Sequence, residues 1–542
     1  MFRENNSHEQ EVFFDSSNWM NPKIREKLEK SWAPIFYRHV FCQIDEKSFA
    51  VLYGTTGNPN FPVNILLSLE YIKHWKGLND QDLLDSFYFD YQVNYAVGIR
   101  ALGEMNLAPR TLYYFRERVY TYCLNNPDGE ELLFSQFNDL LQNFAKQSGI
   151  SMEEQRTDTT LFKSNIKKAG RISLAYDVLL KAAKGIPEEE LTDSLRKVLE
   201  PSFKTYILYK SRTEDGESRL TQLLEILGEA NEILKASTDT MNSDEARIAQ
   251  RFLREQAQID KETGKLVPNN GKEIKSDSLQ SAHDEDATFR RKNNVAQSGY
   301  VLQLSETCDR ENPYQLITDF AVDTNNTSDV EILGTRLEVI SGNTGCTDMY
   351  VDGGYHSEDV HETAKDNGIE IHLTDMTGRK ATKKIPATDF EIDEETNVIE
   401  RCPNGYKPIN AGVSKSQTSA HFPHEACANC PLGDQCYSKK QTKSCVVRIP
   451  LKTVKASRER LAIQENKREN TSKRAGIEGS NSALKRNGLD KLNVRGGNKV
   501  KVVAAYKVIA QNISRFVKFM RGGYKAKAPN ISPCGIAMPI SS

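Results

Sequence analysis

The chain has 542 residues, with 72 Lys+Arg against 74 Asp+Glu, 38% hydrophobic and 27% charged. At roughly 150 residues per domain, that length predicts three or four folded units, and the composition excludes a wholly disordered or collagen-like chain. No run approaches the roughly 18 to 20 uninterrupted apolar residues of a membrane span. The opening MFRENNSHEQ lacks the basic and apolar parts of a signal peptide, so the expectation is a soluble cytosolic protein with no membrane partner.

Residues 1–55 are polar and mixed, with NNSHEQ and DSSNWMNPK predicting partly ordered loops and short helices rather than a core. From residue 61 to about 123 the apolar residues take helical spacing, in FPVNILLSLEYIKHWKGL, NDQDLLDSFYFDYQVNYAVGI and LAPRTLYYFRERVYTYCL. Asn79 or Asp80 caps the second helix, and Pro109 opens the third with Arg110, Arg116 and Arg118 on its polar side. A helical domain over 56–150 is of the size that commonly carries a helix-turn-helix. Its arginines would make it a DNA reader, while a plain helical bundle fits the same pattern.

Residues 151–169 enter an α/β region, and 170–280 read as an inserted, strongly charged helical subdomain through LTDSLRKVL and RLTQLLEILGEANEIL. Over 281–376 the order is strand GYVLQLSETCD, strand YQLITDFAVD, helix DVEILGTRLEVI, strand DMYVDGG, a helix, and strand IEIHLT. That order predicts an α/β core with a mixed sheet. A cysteine-rich segment spans 377–450, and helices follow from about Leu461 to Lys485 and from Lys499 to Phe519, within 451–521. The tail, 522–542, is expected to be loose.

The near-zero net charge conceals an asymmetry: residues 439–542 hold 24 Lys+Arg and 5 Asp+Glu, leaving 48 and 69 in the first 438. A basic block of that size points to a polyanion partner, or to a solvated basic surface that the acidic remainder could dock or shield. Of ten cysteines, Cys402, Cys427, Cys430, Cys436 and Cys445 lie within 44 residues. The first four read C-x24-C-x2-C-x5-C, a set of soft ligands suited to structural tetrahedral zinc, with His421, His424 and Cys445 as competing ligands. Reduced structural thiols are the plainer alternative.

Three acidic positions stand out. Asp352 ends the short strand MYVDGG, where Gly353 and Gly354 turn the chain away from the carboxylate. A turn aspartate is the ordinary reading of such a residue. Asp158 lies in QRTDTTLFKSNI, whose strand signal is weak. In KRAGIEGSNSALKR, Arg474, Glu478 and Lys485 fall on one helix face, a pattern a surface salt-bridge ladder explains. Gly476 and Gly479 flank Glu478, weaken the helix there and predict close approach of another backbone or a ligand. Asp284, Asp286 and Asp375 read as turn residues, although the first two could lie beside an active site, and His356 as an optional proton carrier.

Together, TDTTLFKSNI, SAHDEDATFRRK leading into GYVLQL, YVDGGYHS, HLTDMTGR and RAGIEGSNSALKRNGLDKLNVRG resemble the DDE-type transposases of bacterial insertion sequences. The resemblance covers most of the chain, the cysteine-rich insertion resembling one found in a subgroup. It implies an α/β RNase H-like catalytic core with a mixed sheet, preceded by an all-α N-terminal DNA-binding domain and interrupted by a helical insertion and a cysteine-rich insertion.

Asp158, Asp352 and Glu478 would be the catalytic carboxylates, holding two Mg²⁺ or Mn²⁺ ions about 3.5 to 4 Å apart. The family's signature runs Tyr, two residues, Arg, three residues, Glu, six residues, Lys. Arg474, Glu478 and Lys485 match it, and Thr471 stands at the tyrosine position. Arg474 and Lys485 would then contact DNA phosphates. The implied activity is cleavage at the terminal inverted repeats of an element and joining of its 3′-hydroxyl ends to target DNA. The implied actor is a homodimer on paired ends in the bacterial cytoplasm, associated with the nucleoid. The rival readings are an element-derived DNA-binding protein without cleavage, a non-transposing nuclease of the same fold and, third, a purely structural zinc-stabilised scaffold, which leaves the acidic triad without a purpose.

Overall fold

A computed structural model describes residues 1–10, 15–126, 128–209, 215–292, 295–375 and 383–524. Most of the tail expected to be loose, and the first residues of the cysteine-rich segment, lie outside the described residues. No described helix is long and apolar enough to cross a membrane.

The chain opens with helices α1 (Pro22–Glu29), α2 (Trp32–His39), α3 (Val63–Lys76), α4 (Asp80–Phe89), α5 (Tyr91–Ala96), α6 (Pro109–Asn125) and α7 (Glu131–Ser148). Their starts follow local chemistry: Asn21, Ser31, Asn79 and Asp90 cap α1, α2, α4 and α5 with their side chains, and Pro109 takes the first turn of α6. Gly77, at φ +68°, ends α3, and the turn it begins reaches α4 within three residues.

Two expectations for this region need correcting. Residues 1–55 are not without a core, because Trp32, Phe36, Val40, Phe41 and Phe49 are buried. Trp32, Phe36 and Val40 recur every four residues, and polar flanks dilute that stripe in any compositional reading. Nor are the α6 arginines a uniform polar face. Arg116 pairs with Glu70 and Asp80, both at 2.7 Å, and Arg118 lies over the Tyr53 ring at 4.6 Å.

β1 (Glu154–Phe162) leads into the helical insertion α8 (Arg171–Lys184), α9 (Asp193–Leu199), α10 (Pro201–Leu208), α11 (Gly216–Ala236) and α12 (Asp244–Gln256). A small hairpin, β2 (Ala257–Ile259) and β3 (Leu266–Pro268), closes it, and it carries its own core around Leu179, Leu223, Leu227 and Phe252. Then come β4 (Thr288–Lys292), β5 (Val295–Thr307), β6 (Ile317–Thr324), α13 (Asp329–Thr344), β7 (Asp348–Val351), α14 (Glu358–Asp366) and β8 (Glu370–Leu373).

These strands form one mixed sheet ordered β6-β5-β1-β7-β8, with β4 also on β5. β5 runs antiparallel to β1, β4 and β6, whereas β7 and β8 run parallel to β1. α13 and α14 make the crossovers that parallel pairing requires, and they pack Leu333, Leu337 and Val360 with Met349 and Val351.

The cysteine-rich segment holds β9 (Glu391–Ile392), β10 (Ile399–Arg401), β11 (Asn410–Val413), β12 (Gln417–Phe422), α15 (His424–Ala428), β13 (Ser438–Lys440) and β14 (Cys445–Pro450). Its main sheet is ordered β11-β12-β14-β13. α16 (Leu451–Leu484) and α17 (Gly497–Met520) complete the described fold, α16 starting a good two turns before the expected Leu461.

α17 lies among α3, α6 and α7 and joins the N-terminal helices to the sheet in one continuous core. Phe516 stacks on Phe144 at 4.4 Å, and Phe137 meets Phe320 of β6 edge-on at 5.0 Å. The acidic remainder does dock part of the basic C-terminal block, through Lys499–Glu117, Lys501–Glu130 and Arg515–Glu306.

Candidate active site

The site begins with the two-residue period of β1. Glu154, Arg156 and Asp158 share the face that α16 crosses. Glu154 bonds the Lys473 ammonium at 2.9 Å, and the Arg156 guanidinium donates to the Lys473 carbonyl at 2.8 Å. The Asp158 carboxylate meets Arg474 Nη2 at 3.1 Å.

Arg156 is fixed on its other side by Glu306, which is fully buried and also accepts from Arg515 and Ser480. A buried carboxylate so fully paired is a rigid anchor. Gly476 makes this crossing possible, since a Cβ there would lie 2.1 Å from Arg156 Nη1. The close approach at Gly476 is thus made by a side chain of the sheet, not by the backbone or ligand expected there, because Arg156 reaches across from β1. At Gly479 a Cβ would meet nothing beyond its own stretch of helix within 4 Å and would face open space.

Asp352 follows β7 and caps the turn Gly353–Tyr355, accepting from the Gly354 amide at 2.8 Å. Its other oxygen lies 3.7 Å from Arg474 Nη2. Glu478, one helical turn beyond Arg474, reaches Arg474 Nη1 at 3.3 Å. Three carboxylates from three distant parts of the chain thus converge on one guanidinium. Asp158 is 15% exposed, Asp352 41% and Glu478 66%, so the cluster is seated in the fold on one side and open to solvent on the other. Among the described ion pairs, one guanidinium serves three carboxylates, and Arg474 Nε is buried without a hydrogen-bond partner. Lys485 sits at the end of α16, half-buried, two turns past Glu478, and Thr471 is exposed one turn before Arg474.

A second cluster was not anticipated. Asp348, Glu370 and His372 bring their ligand atoms within 4.8 Å of one another. Among the described residues neither the acidic triad nor the cysteines are drawn together that tightly. Parallel register pairs Asp348 with Glu370 and Tyr350 with His372, and the His372 ring stacks on Tyr350 at 4.7 Å. Burial pushes the Asp348 carboxyl up, but hydrogen bonds from His372 and Thr347 outweigh it and leave the group below its usual range. The alternation in DMYV and EIHL was readable in the sequence; the register that joins the two strands was not.

Cys402, Cys427, Cys430 and Cys436 line one small cavity of about 20 Å³ with Phe422, Leu432 and Val447. Burial, then the neighbouring thiols of Cys445, Cys436 and Cys402, pushes the Cys427 thiol up to about 12. Cys445 also lies 3.6 Å from His424 Nδ1, and His421 Nδ1 bonds Ser444 at 3.0 Å.

The remaining acids have structural partners. Asp284 is buried, accepting from Ser164 and Tyr300, while Asp286 accepts from the Gly497 amide at 2.7 Å. Asp375 lies 3.9 Å from Lys467, and His356 meets Glu459 at 3.2 Å.

Comparison with known families adds a class. Residues 401–517 match the family model described as Transposase DDE domain, and the match supports a DDE-type transposase. The matched stretch contains Arg474, Glu478, Lys485 and the four cysteines, and it excludes Asp158 and Asp352. No curated protein and no solved structure matches the chain.

Proposed function

We propose that this protein is a DNA transposase that cleaves the ends of an insertion element and joins their 3′-hydroxyls to target DNA, with Asp158, Asp352 and Glu478 as its catalytic carboxylates. The observation that carries the reading is the convergence of these residues around Arg474, with Glu478 and Arg474 inside the matched transposase stretch. The sheet order, with an antiparallel β6-β5-β1 half and a parallel β1-β7-β8 half, fits an RNase H-like core.

The donor set suits divalent cations: hard carboxylate oxygens, three of them sharing one guanidinium, and solvent access on one side. When bound by Asp158, Asp352 and Glu478, two Mg²⁺ or Mn²⁺ ions supply activation of the attacking oxygen and stabilisation of the leaving oxygen. The chain's own part is positioning. The Glu306–Arg156–Gly476 contact holds α16 in register on β1, so Glu478 faces Asp158. Arg474 offsets repulsion among the acids and, with Lys485, offers cationic contacts to DNA phosphates.

The surface of α6 that carries Arg110, Tyr113 and Tyr114, all exposed, is the surface we assign to the terminal repeat. The exposed face of α4 carries Asp82 and Asp85, an unfavourable surface for phosphates. The four cysteines form a structural zinc site, and a homodimer acts on paired ends. The test incubates protein and Mg²⁺ with a labelled element-end duplex and a target plasmid. Cutting and joining by wild type but not by Asp352→Asn supports the reading. Specific end binding with neither reaction, under Mg²⁺ or Mn²⁺, favours an inactive DNA-binding protein, and cutting without joining favours a nuclease.

A further inference from the structure

A cavity of about 610 Å³ lies where α3, α6 and α17 meet the loop after α16. Its walls carry seven charged side chains, four of which cancel: Arg116 pairs with Glu70 and Asp80, and Lys73 with Asp80 at 2.6 Å. The other three are Arg486 and Lys491 from the loop and Lys507 from α17. Among the described residues, none of these three takes part in an ion pair. Lys507 is only 8% exposed, and its ammonium donates to the Asn487 carbonyl at 2.6 Å, leaving two donor protons for another acceptor.

A buried ammonium without a counter-charge is costly, and burial followed by the charge of Lys73 pushes Lys507 down to about 8. An anion in the cavity would remove that cost. The loop's Gly488, at φ +82°, adopts a backbone that other residues rarely take, and a Cβ there would stand 3.3 Å from the Lys507 ammonium.

The cavity is tied to the active site by backbone. Lys163 bonds to Asp490 and Leu492, extending β1 onto this loop five residues beyond Asp158, about 16 Å at the rise of a strand. Arg486 lies eight residues beyond Glu478, roughly 12 Å at helical rise. A DNA strand rises about 3.4 Å per nucleotide, so both distances correspond to a few nucleotides from the scissile bond.

We propose that this cavity is a phosphate site, in which Lys507, Arg486 and Lys491 grip a backbone phosphate of the DNA strand engaged at Asp158, Asp352 and Glu478. The inference rests on the transposase reading for its ligand, but the anion chemistry stands on the cavity itself.

The test has two arms on the full chain. In the first, inorganic phosphate is titrated against chloride at matched ionic strength and followed by ³¹P line broadening. Wild type broadens the signal, while Lys507→Gln and the exposed Lys491→Gln lose most of the effect. In the second, element-end duplexes carry single neutral methylphosphonates near the cut site. One substitution weakens wild-type binding and has no further effect on Lys507→Gln, and the slope of log affinity against log salt falls by about 0.9 in Lys491→Gln.

Because Lys491 is exposed, its variant keeps the test valid should Lys507→Gln fail to fold. Unchanged broadening and salt slope in Lys491→Gln, with no phosphate position coupled to either residue, would overturn the phosphate site even if wild type cuts and joins DNA. Phosphate broadening lost in both variants, in a protein that neither cuts nor joins, would support the anion site and reject the transposase reading.

Discussion

Gly476→Ala tests whether α16 is held on β1 by the packing of Arg156. The new Cβ would stand 2.1 Å from Arg156 Nη1 and 2.3 Å from its Cζ, so the guanidinium must leave its place. Leaving breaks its bonds to the Lys473 carbonyl and to the fully buried Glu306. Removing one partner of a buried ion pair costs about 3 to 5 kcal/mol, and the lower end applies because Arg515 and Ser480 still hold Glu306. Alanine returns up to ~1 kcal/mol through helix propensity.

The net loss is about 2 kcal/mol, which corresponds to a roughly 30-fold larger opening equilibrium constant for the helix. Hydrogen exchange followed by mass spectrometry on α16 peptides reads this locally, which suits a chain of several cores better than a single melting point. Gly479→Ala is the matched control, its new methyl group facing open space away from the rest of the fold, and should leave protection unchanged or raise it slightly. Equal protection in the two variants would refute the claim that Arg156 requires glycine at 476.

Asp158→Asn, Asp352→Asn and Glu478→Gln should each lower end cleavage by on the order of 100-fold or more while leaving duplex binding measurable by mobility shift. Chelation by EDTA should abolish cleavage and joining, and added Mg²⁺ or Mn²⁺ should restore both. Elemental analysis should find one zinc per chain, lost in Cys427→Ser together with exchange protection of β12 and β14; full zinc content in that variant would reject the ligand assignment. Lys507 has a folded value near 8, below the ordinary lysine value of 10.5. Its contribution to stability is therefore full above about 10.5 and lost as pH falls through 8. Lys73, Arg116, Arg486 and Lys491 surround it as cations, His74 is held neutral by burial, and Glu70 and Asp80 are already paired. Lys507→Met should consequently gain on wild type in urea midpoint on going from pH 10 to pH 7 in phosphate-free buffer, and a constant difference would reject the buried charge.

The succession of strand and helix from β5 to β8 was legible because the strands carry apolar runs or polar–apolar alternation and each helix carries its own apolar period. The site was legible only in part. Asp158 sits in TDTTLFKSNI, where only Leu161, Phe162 and Ile166 are apolar, so the strand signal is weak even though threonine favours strands. In the fold, the face of β1 bearing Asp158 is covered by α16, which the chain supplies some 300 residues later. No local pattern can report a cover so remote. The same limit explains Arg116, which reads as a basic surface residue until Glu70 and Asp80 are brought to it. It also explains Asp348, Glu370 and His372, which meet only through the register of β7 on β8.

Gly476 shows what distance in sequence conceals. Read alone, Gly476 and Gly479 both weaken the helix around Glu478, and nothing distinguishes them. In the fold they differ completely: Gly476 admits Arg156, while Gly479 opens toward the solvent side beside Glu478. The first sets the height of α16 on the sheet, and with it the distance from Glu478 to Asp158. A helix shifted by one residue along its axis moves about 1.5 Å and turns about 100°, which would carry Glu478 away from Arg474 and from both aspartates. The register of one long helix on one strand is therefore the variable on which the carboxylate cluster depends, and it is held by residues that carry none of the proposed chemistry.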